Sequence, residues 1–232
     1  MYARRLEGRT LTFGVSGMLL RDSLVMFDRE TDTLWTQVDG FGIRGALNGR
    51  ALQPVPAVHT TWKAWKALYP QSRVLRKRRG NRSAYERYNR NPNELGILGR
   101  RNADPRLDGK TRMLGVRQSG SETAFPVDEV RAVRLVETTV GNLAVLLAAP
   151  SDDGPVHVYD RGVGERVLTF QFTDGDRALR DNETATTWRL ADGVAIDGPL
   201  AGSRLARVAA HSAFWFGWQG FFPRSAVWHA EP

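Results

Sequence analysis

One eight-residue pattern occurs twice in this chain, first as Asp28-Arg-Glu-Thr-Asp-Thr-Leu-Trp35 and again as Asp181-Asn-Glu-Thr-Ala-Thr-Thr-Trp188. A shift of 153 positions relates the two, and without any gap it extends the match to residues 28–75 and 181–228. Three glycines and two tryptophan pairs stay in register over that length. Chance does not preserve so many of these residues, so the sequence indicates an internal duplication.

Each copy has the pattern of several short strands. Leu11, Phe13 and Val15 alternate as in a half-buried strand, Ser16-Gly17 indicates a turn, and residues 24–27 indicate the returning strand. We therefore predict a mainly β fold with a few short helices, with an α+β fold as the alternative. The duplication predicts two tandem related units that pack with pseudo-symmetry.

One aromatic helix is predicted near the end of each copy, because aromatic residues recur at i, i+3 and i+7 on one helix face. These residues are Trp62, Trp65 and Tyr69 in the first copy and Trp215, Trp218 and Phe222 in the second. Thr60 or Thr61 is the expected cap of the first helix and Ser212 of the second, and Pro70 and Pro223 are expected to end them. Since the pairs are repeated, we expect both aromatic faces to lie in the core.

The predicted domains are a first, incomplete unit (1–75), a basic linker or excursion (76–112) and a second, complete unit (113–232). The second copy has about 45 residues between the linker and its Leu-Thr-Phe strand, whereas the first has only ten residues before Leu11. We therefore expect that the first copy has lost its opening strands through truncation at the N-terminus. Lost strands would leave an unpaired edge strand, through which the chain could form a dimer.

Composition excludes several classes of protein. The 232 residues are 41% hydrophobic and 25% charged, which is typical of a globular chain with one or two domains. Cysteine is absent, which excludes disulfides, thiol nucleophiles and Cys-ligated metals. No signal peptide or membrane span is visible in this chain, which predicts a soluble protein and leaves its location unknown.

The repeated Asp-x-Glu-Thr-x-Thr-x-Trp motif is the sharpest candidate site. Carboxylates beside a tryptophan can bind sugars or organic cations, so the candidate ligand-binding residues are Asp28, Glu30, Trp35, Asp181, Glu183 and Trp188. The favoured alternative is structural, with the aspartate accepting backbone N–H bonds in a turn and the tryptophan in the core. A hydrolase that uses paired carboxylates is a third hypothesis.

The formal charge of +8 is concentrated between Arg73 and Arg117. The basic residues at its centre are Arg76, Lys77, Arg78, Arg79 and Arg82, with Tyr85 and Tyr88 nearby. Guanidinium groups neutralise phosphates and aromatic rings stack on bases, so nucleic-acid binding is an alternative function. A solvated linker is the favoured interpretation, because no nucleic-acid-binding fold signature accompanies the segment.

Metal and cofactor signatures are missing. The four histidines, His59, His157, His211 and His229, match no metal-ligand spacing, and no nucleotide or nucleophile-elbow motif is present. We predict no metal site and no cofactor, and we identify no catalytic residue. A protein that is not an enzyme is therefore favoured.

The chain resembles a bacterial and archaeal family catalogued as domain of unknown function 3179. The resemblance rests on Leu-Thr-Phe-Gly-Val-Ser-Gly at 11–17, Leu-Val-Met-Phe-Asp-Arg-Glu-Thr at 24–31, Gly-Pro-Leu-Ala-Gly at 198–202 and Phe-Trp-Phe-Gly-Trp at 214–218. Members carry a Cys-Pro-Leu-Cys stretch before the first Leu-Thr-Phe strand and often look exported, and this chain has no such cysteines. The resemblance implies architecture more than activity. The leading hypothesis is a non-catalytic module that binds a small molecule or carbohydrate.

Overall fold

The structure is a computed structural model that describes residues 1–75, 88, 90–92, 94–96, 104–151 and 154–230. Its described part is mainly β with short helices, as predicted. The helices are α1 (Trp62–Leu68), α2 (Val127–Val133) and α3 (Trp215–Phe221). None of the helices in these ranges is long and apolar enough to cross a membrane.

The strands of the first part of the chain form a hairpin and a four-stranded sheet. They are β1 (Arg5–Leu6), β2 (Arg9–Thr10), β3 (Phe13–Leu20), β4 (Ser23–Asp28), β5 (Leu34–Thr36) and β6 (Gly42–Arg44). The antiparallel sheet has the order β3-β4-β5-β6, so β3 is an edge strand.

The strands after residue 111 form three larger sheets and one hairpin. They are β7 (Arg112–Gln118), β8 (Ser121–Pro126), β9 (Leu135–Val140), β10 (Leu143–Ala148), β11 (His157–Asp160), β12 (Gly162–Val163), β13 (Arg166–Val167), β14 (Phe170–Thr173), β15 (Ala178–Asp181), β16 (Thr187–Arg189), β17 (Ala195–Asp197), β18 (Ala210–Phe214) and β19 (Ala226–Val227). The larger sheets have the orders β11-β10-β9, β14-β15-β16-β17 and β18-β7-β8-β19, and β12 pairs with β13.

The chain divides into two compact units whose segments alternate along the sequence. Unit one comprises Met1–Val55, the described part of Lys77–Met113, and Ala213–Ser225. Unit two comprises the described parts of Pro56–Arg76, Leu114–Ser212 and Ala226–Pro232. Helix α1 thus belongs to unit two and α3 to unit one. The domain boundaries predicted at 75/76 and 112/113 were drawn from the sequence repeat. They stay a prediction.

The core of unit one is built around Trp35, which is fully buried with Leu11, Leu47 and Leu52. Phe13 packs edge-on against the Trp35 ring with 6.1 Å between ring centroids. In unit two Trp188 is likewise fully buried, in a larger hydrophobic cluster. Phe170 packs edge-on against the Trp188 ring with 6.3 Å between ring centroids. Each motif tryptophan is therefore the centre of a hydrophobic core.

One predicted turn is wrong. Ser16-Gly17 does not end the first strand of the sheet, because β3 continues to Leu20 and the chain reverses at Arg21-Asp22, where both residues have positive φ. The pairing of β3 with β4 shifts register between Val15 and Leu19, so Ser16-Gly17 lies in an irregular stretch of the strand instead. A Gly in a strand pattern marks such an irregularity as readily as a turn.

Two glycines are required where the chain folds back on the motif. Gly45 has a φ of +108° and Gly198 of +100°. A Cβ atom on them would lie 2.8 Å from the Cα atom of Thr33 and 2.7 Å from that of Thr186. No side chain fits this approach, which explains why both copies have glycine there.

Candidate functional site

The first copy of the motif forms a tight turn between β4 and β5. The amide of Asp28 donates to the carbonyl of Thr33 at 3.1 Å, which closes the turn. The Asp28 carboxylate accepts hydrogen bonds from the Thr31 amide at 2.6 Å and from the Trp35 indole N–H at 2.7 Å. The carboxylate thereby ties the turn to the core tryptophan.

The second copy has the same contacts 153 residues later. The amide of Asp181 donates to the Thr186 carbonyl at 3.1 Å. The Asp181 carboxylate accepts from the Thr184 amide at 2.5 Å, the Thr186 amide at 3.1 Å and the Trp188 indole N–H at 2.8 Å. The repetition of the sequence is thus a repetition of one hydrogen-bond network.

The hydrogen-bond network keeps the carboxylates of both aspartates charged although they are buried. Burial by itself would raise the pKa of Asp28 and Asp181, which are 0% and 1% exposed. The hydrogen bonds from the indole, the threonine hydroxyl and the backbone amides outweigh this effect, so the pKa of each carboxyl lies below its ordinary value.

The glutamates of the motif bind the residue that precedes the neighbouring strand. Glu30 accepts a hydrogen bond from the Thr12 amide at 2.7 Å, and this bond lowers its pKa. Glu183 accepts from the Thr169 amide and hydroxyl, both at 2.8 Å. Desolvation opposes these bonds at Glu183, yet its pKa is also lowered.

The six motif residues are therefore close together within each unit, and each of their polar groups has a partner in the chain. Asp28, Trp35, Asp181 and Trp188 present no exposed surface to a ligand. These contacts are the ones the structural interpretation describes, with the aspartate in a turn and the tryptophan in the core. Ligand binding by these six residues stays a prediction.

One carboxylate outside the motif has an unusual environment. Glu137 on β9 accepts a hydrogen bond from the Phe170 amide at 2.6 Å, and Arg161 lies 3.7 Å from it. Desolvation raises the pKa of Glu137 in spite of both contacts, and the charge of Glu183 adds to the increase. The sequence offered no signal for this residue, because its neighbours come from three distant segments.

The histidines do not meet in one place. His59 lies 3.3 Å from the Ser212 hydroxyl, and His229 lies 3.2 Å from Glu129. His157 is buried, its ring stacks on Tyr159, and its Nδ1 atom has no hydrogen-bond partner within the described ranges. Burial lowers the pKa of His157 to about 4.

In the part of the chain that the structure describes, no group of three or more His, Asp or Glu side chains is placed to hold a metal ion.

The proposed nucleic-acid residues Arg76, Lys77, Arg78, Arg79 and Arg82, and Tyr85 with them, lie outside the described residues. Two basic residues of the same segment that are described bind their own chain. Arg106 pairs with Asp104 at 2.7 Å, and Lys110 lies 3.6 Å from the centre of the Tyr88 ring and donates to the Asn91 carbonyl at 2.5 Å. Nucleic-acid binding therefore stays a prediction.

The two aromatic helices have the same internal structure. The Trp65 indole donates to the Ser72 hydroxyl at 2.9 Å, and the Trp218 indole donates to that of Ser225 at the same distance. Trp65 stacks on Tyr69 with 4.5 Å between ring centroids, and the corresponding rings of the second copy are 4.4 Å apart. Thr61 caps α1 as predicted, whereas Ser212 does not cap α3, whose N-cap residue is Phe214 and makes no side-chain capping bond.

Their surroundings are different. Trp215 and Trp218 on α3 are completely buried, as predicted. Trp62 is 49% exposed and Trp65 is 37% exposed, so the prediction that both aromatic faces lie in the core is wrong for α1. At α3 the amides of Trp215 and Phe216 donate to the carbonyls of Thr111 and Gly109, whereas no described residue makes the corresponding bonds at α1. We call Trp62, Trp65, Leu68 and Tyr69, which are all exposed, the α1 face.

The sequence pattern of one protein family matches residues 1–225, and the family is described as protein of unknown function (DUF3179). No curated protein and no solved structure matches the chain. The match covers the repeated motif and both aromatic helices, as the resemblance in the sequence implied. This chain, in which the turn between the motif aspartate and tryptophan occurs twice, belongs to the DUF3179 family.

Proposed function

We propose that the protein is a non-catalytic binding module and that the α1 face is its binding surface. The observation that carries the proposal is the contrast between two helices of equal internal geometry. Trp62 and Trp65 expose 49% and 37% of their surface, whereas Trp215 and Trp218 expose none. Clustered exposed aromatic side chains are typical of binding surfaces.

The α1 face is held in place without a ligand. Lys66 lies 5.9 Å above the Trp62 ring and donates to the Ser72 carbonyl at 3.0 Å and to the Pro70 carbonyl. The Trp65 indole is fixed by Ser72. Aromatic rings ordered in this way lose little entropy on binding, which favours affinity.

A non-catalytic role agrees with the state of the motif carboxylates. Asp28 and Asp181 are buried and accept several hydrogen bonds each, and Glu30 and Glu183 hold backbone amides. A general acid or base needs a proton that it can exchange with a substrate. Asp28 and Asp181 lack that freedom, because both are buried and hydrogen-bonded within the chain.

Exposed tryptophan and tyrosine faces suit two ligand classes. The first is the carbohydrate class expected from the sequence, because the C–H face of a sugar stacks on an aromatic ring. The second is a polypeptide, whose apolar side chains and carbonyls fit an aromatic face with free N–H donors. Both would quench or shift the fluorescence of Trp62.

The test is a panel of soluble oligosaccharides titrated into the full chain and monitored by tryptophan fluorescence. Trp62→Ala is the test variant, and Val167→Ala is the control, because Val167 is also exposed and lies on β13 rather than on α1. A ligand that binds the wild type and the control and binds Trp62→Ala at least about tenfold more weakly supports the proposal. Equal binding to all three proteins would contradict it.

A hydrolase is the second candidate, and Glu137 is the residue that favours it. A carboxyl with a raised pKa near one with a lowered pKa is the arrangement of a general acid with a base, and Glu137 and Glu183 have those opposite shifts. Turnover of a glycoside substrate that disappears in Glu137→Gln while the fold is retained would support this candidate. Turnover by Glu137→Gln equal to that of the wild type would contradict the hydrolase candidate.

A further inference from the structure

We propose that the partner of the α1 face is a polypeptide segment, which lies over Trp62 and continues as a β-strand that pairs with residues 57–61. The inference rests on the proposed function, because it names the ligand class of the same surface. It is carried by α3, whose aromatic face is already covered by a stretch of turns that leads into the strand β7. The covering segment, residues 104–111, comes from the same chain and belongs to unit one.

The covering segment meets α3 mainly through its backbone carbonyls. The carbonyls of Thr111 and Gly109 accept from the amides of Trp215 and Phe216 at 2.9 and 3.0 Å. The Asp104 carbonyl accepts from the Trp215 indole N–H at 3.3 Å. Backbone carbonyls accept all three of these bonds, so any polypeptide has the acceptors, and the side chain of Arg106 adds contacts that depend on the sequence.

The corresponding donors on α1 are available. The counterparts of the amides of Trp215 and Phe216 are those of Trp62 and Lys63, and the counterpart of the Trp215 indole is that of Trp62. Among the described residues none of these three N–H groups has a hydrogen-bond partner. Within the described ranges the α1 face therefore leaves unpaired the donors that α3 uses to bind its covering segment.

The stretch before each helix shows the same contrast. Ala210–Phe214 forms β18, which is hydrogen-bonded to β7, the strand that follows the covering segment. The counterpart, residues 57–61, has no regular secondary structure, and within the described ranges its amides donate to no other group. An unpaired stretch of backbone next to an apolar face is an arrangement to which a peptide can add as a strand.

The open backbone favours a polypeptide over a sugar. Stacking on Trp62 would serve either ligand, but a sugar leaves the amides of residues 57–61 unpaired. A peptide strand satisfies them and the indole N–H together, as β7 and the covering segment do for the second copy. The occupant is therefore a partner segment with the chemistry of residues 104–118, which is a stretch of turns followed by the strand β7.

One difference between the helices provides a sharper test. On α3 the cation is Arg106, which lies 5.0 Å from the Trp215 ring and donates to the carbonyls of Ser225 and Pro223 at 2.6 and 3.0 Å. On α1 Lys66 has this place over the Trp62 ring, and α3 has Gln219 at the position of Lys66. An arginine of a bound peptide must therefore compete with Lys66.

The experiment adds a synthetic peptide of residues 104–118 to the full chain and measures its affinity by calorimetry and amide protection by hydrogen exchange. The peptide should bind more tightly than a scrambled peptide of equal composition and should protect the amides of residues 57–63. Trp62→Ala should lower the affinity by at least about tenfold. Lys66→Gln should raise it several-fold, and a peptide with Ala in place of Arg106 should lose this gain.

Each other outcome overturns the inference. Binding no tighter than that of the scrambled peptide, or binding without protection of residues 57–63, contradicts a strand at this place. Self-association of the chain that Trp62→Ala abolishes would make a second copy the occupant instead. If the peptide fails while a sugar binds in a Trp62-dependent manner, the inference fails and the proposed function stands. If neither binds, both fail.

Discussion

Replacing Asp181 by asparagine should destabilise unit two by roughly 1.5–3 kcal/mol. Asp181 is 1% exposed, and its two carboxylate oxygens accept N–H bonds from the Thr184 amide on one side and from the Thr186 amide and the Trp188 indole on the other. Because both oxygens face donors, either orientation of an asparagine places its NH₂ group against at least one N–H. The amide orientation that disrupts fewer contacts still loses one charge-assisted hydrogen bond. Such bonds contribute about 1.5–3 kcal/mol each.

The assay is equilibrium unfolding in urea, monitored by near-ultraviolet circular dichroism, which reports the packing of Trp188. A fall in the midpoint without a change of slope would show a loss of stability alone. Asp197→Asn is the matched control, because Asp197 is an exposed aspartate in the same unit. It should stay within about 0.5 kcal/mol of the wild type.

The result that would refute the reasoning is an Asp181→Asn protein as stable as the control. A double-mutant cycle with Trp188→Phe adds a second check. Since both changes break the same hydrogen bond, their costs should fall short of additivity by about 0.5–3 kcal/mol. Additive costs would mean that the indole and the carboxylate do not act together.

Three other predictions concern separate parts of the molecule. Burial lowers the pKa of His157 to about 4, so between about pH 6.5 and pH 4 the unfolded chain binds a proton that the folded chain does not. The free energy of unfolding should therefore fall by on the order of 3 kcal/mol over that interval, and His157→Gln should remove this fall. An equal fall in His157→Gln would contradict this reasoning. Gly198→Ala should cost about 2 kcal/mol more in thermal or urea unfolding than Gly202→Ala, because Gly202 also has positive φ but has open space where its Cβ would lie, and equal costs would show that the approach to Thr186 is not tight. The edge strand β3 exposes Val15 and has no charged residue, so the chain should self-associate with concentration in sedimentation experiments and Val15→Lys should reduce this; a strictly monomeric wild type would contradict the dimer predicted from the unpaired edge.

The local features of the fold could be predicted from the sequence because they depend on neighbouring residues. The aspartate, threonines and tryptophan of the motif lie within eight positions, and turn chemistry determines how they bind one another. Alternation indicated the strands, and the aromatic spacing indicated both helices and the cap at Thr61. The duplication itself stays a prediction, which the repeated hydrogen bonds at Asp28 and Asp181 support.

The burial of the two aromatic helices could not be predicted, because it depends on residues far away in the sequence. Trp215 is buried by a segment that ends more than a hundred positions earlier, and no pattern within the helix records that contact. Because Trp62 and Trp65 have the same spacing as the tryptophans of α3, the sequence predicted that both pairs are buried. In the structure only the pair on α3 is buried. For the same reason the sequence did not indicate Glu137, whose partners come from Arg161 and the strand at Phe170.

The most direct test of the central claim, that the α1 face is exposed and available while that of α3 is covered, is fluorine NMR of the chain labelled with 5-fluorotryptophan. Seven resonances are expected from the seven tryptophans, and single Trp→Phe variants assign them. Changing the solvent from H₂O to D₂O shifts a fluorine in proportion to its exposure. The account predicts large shifts for Trp62 and Trp65 and almost none for Trp215 and Trp218. Equal shifts for the two pairs would contradict it.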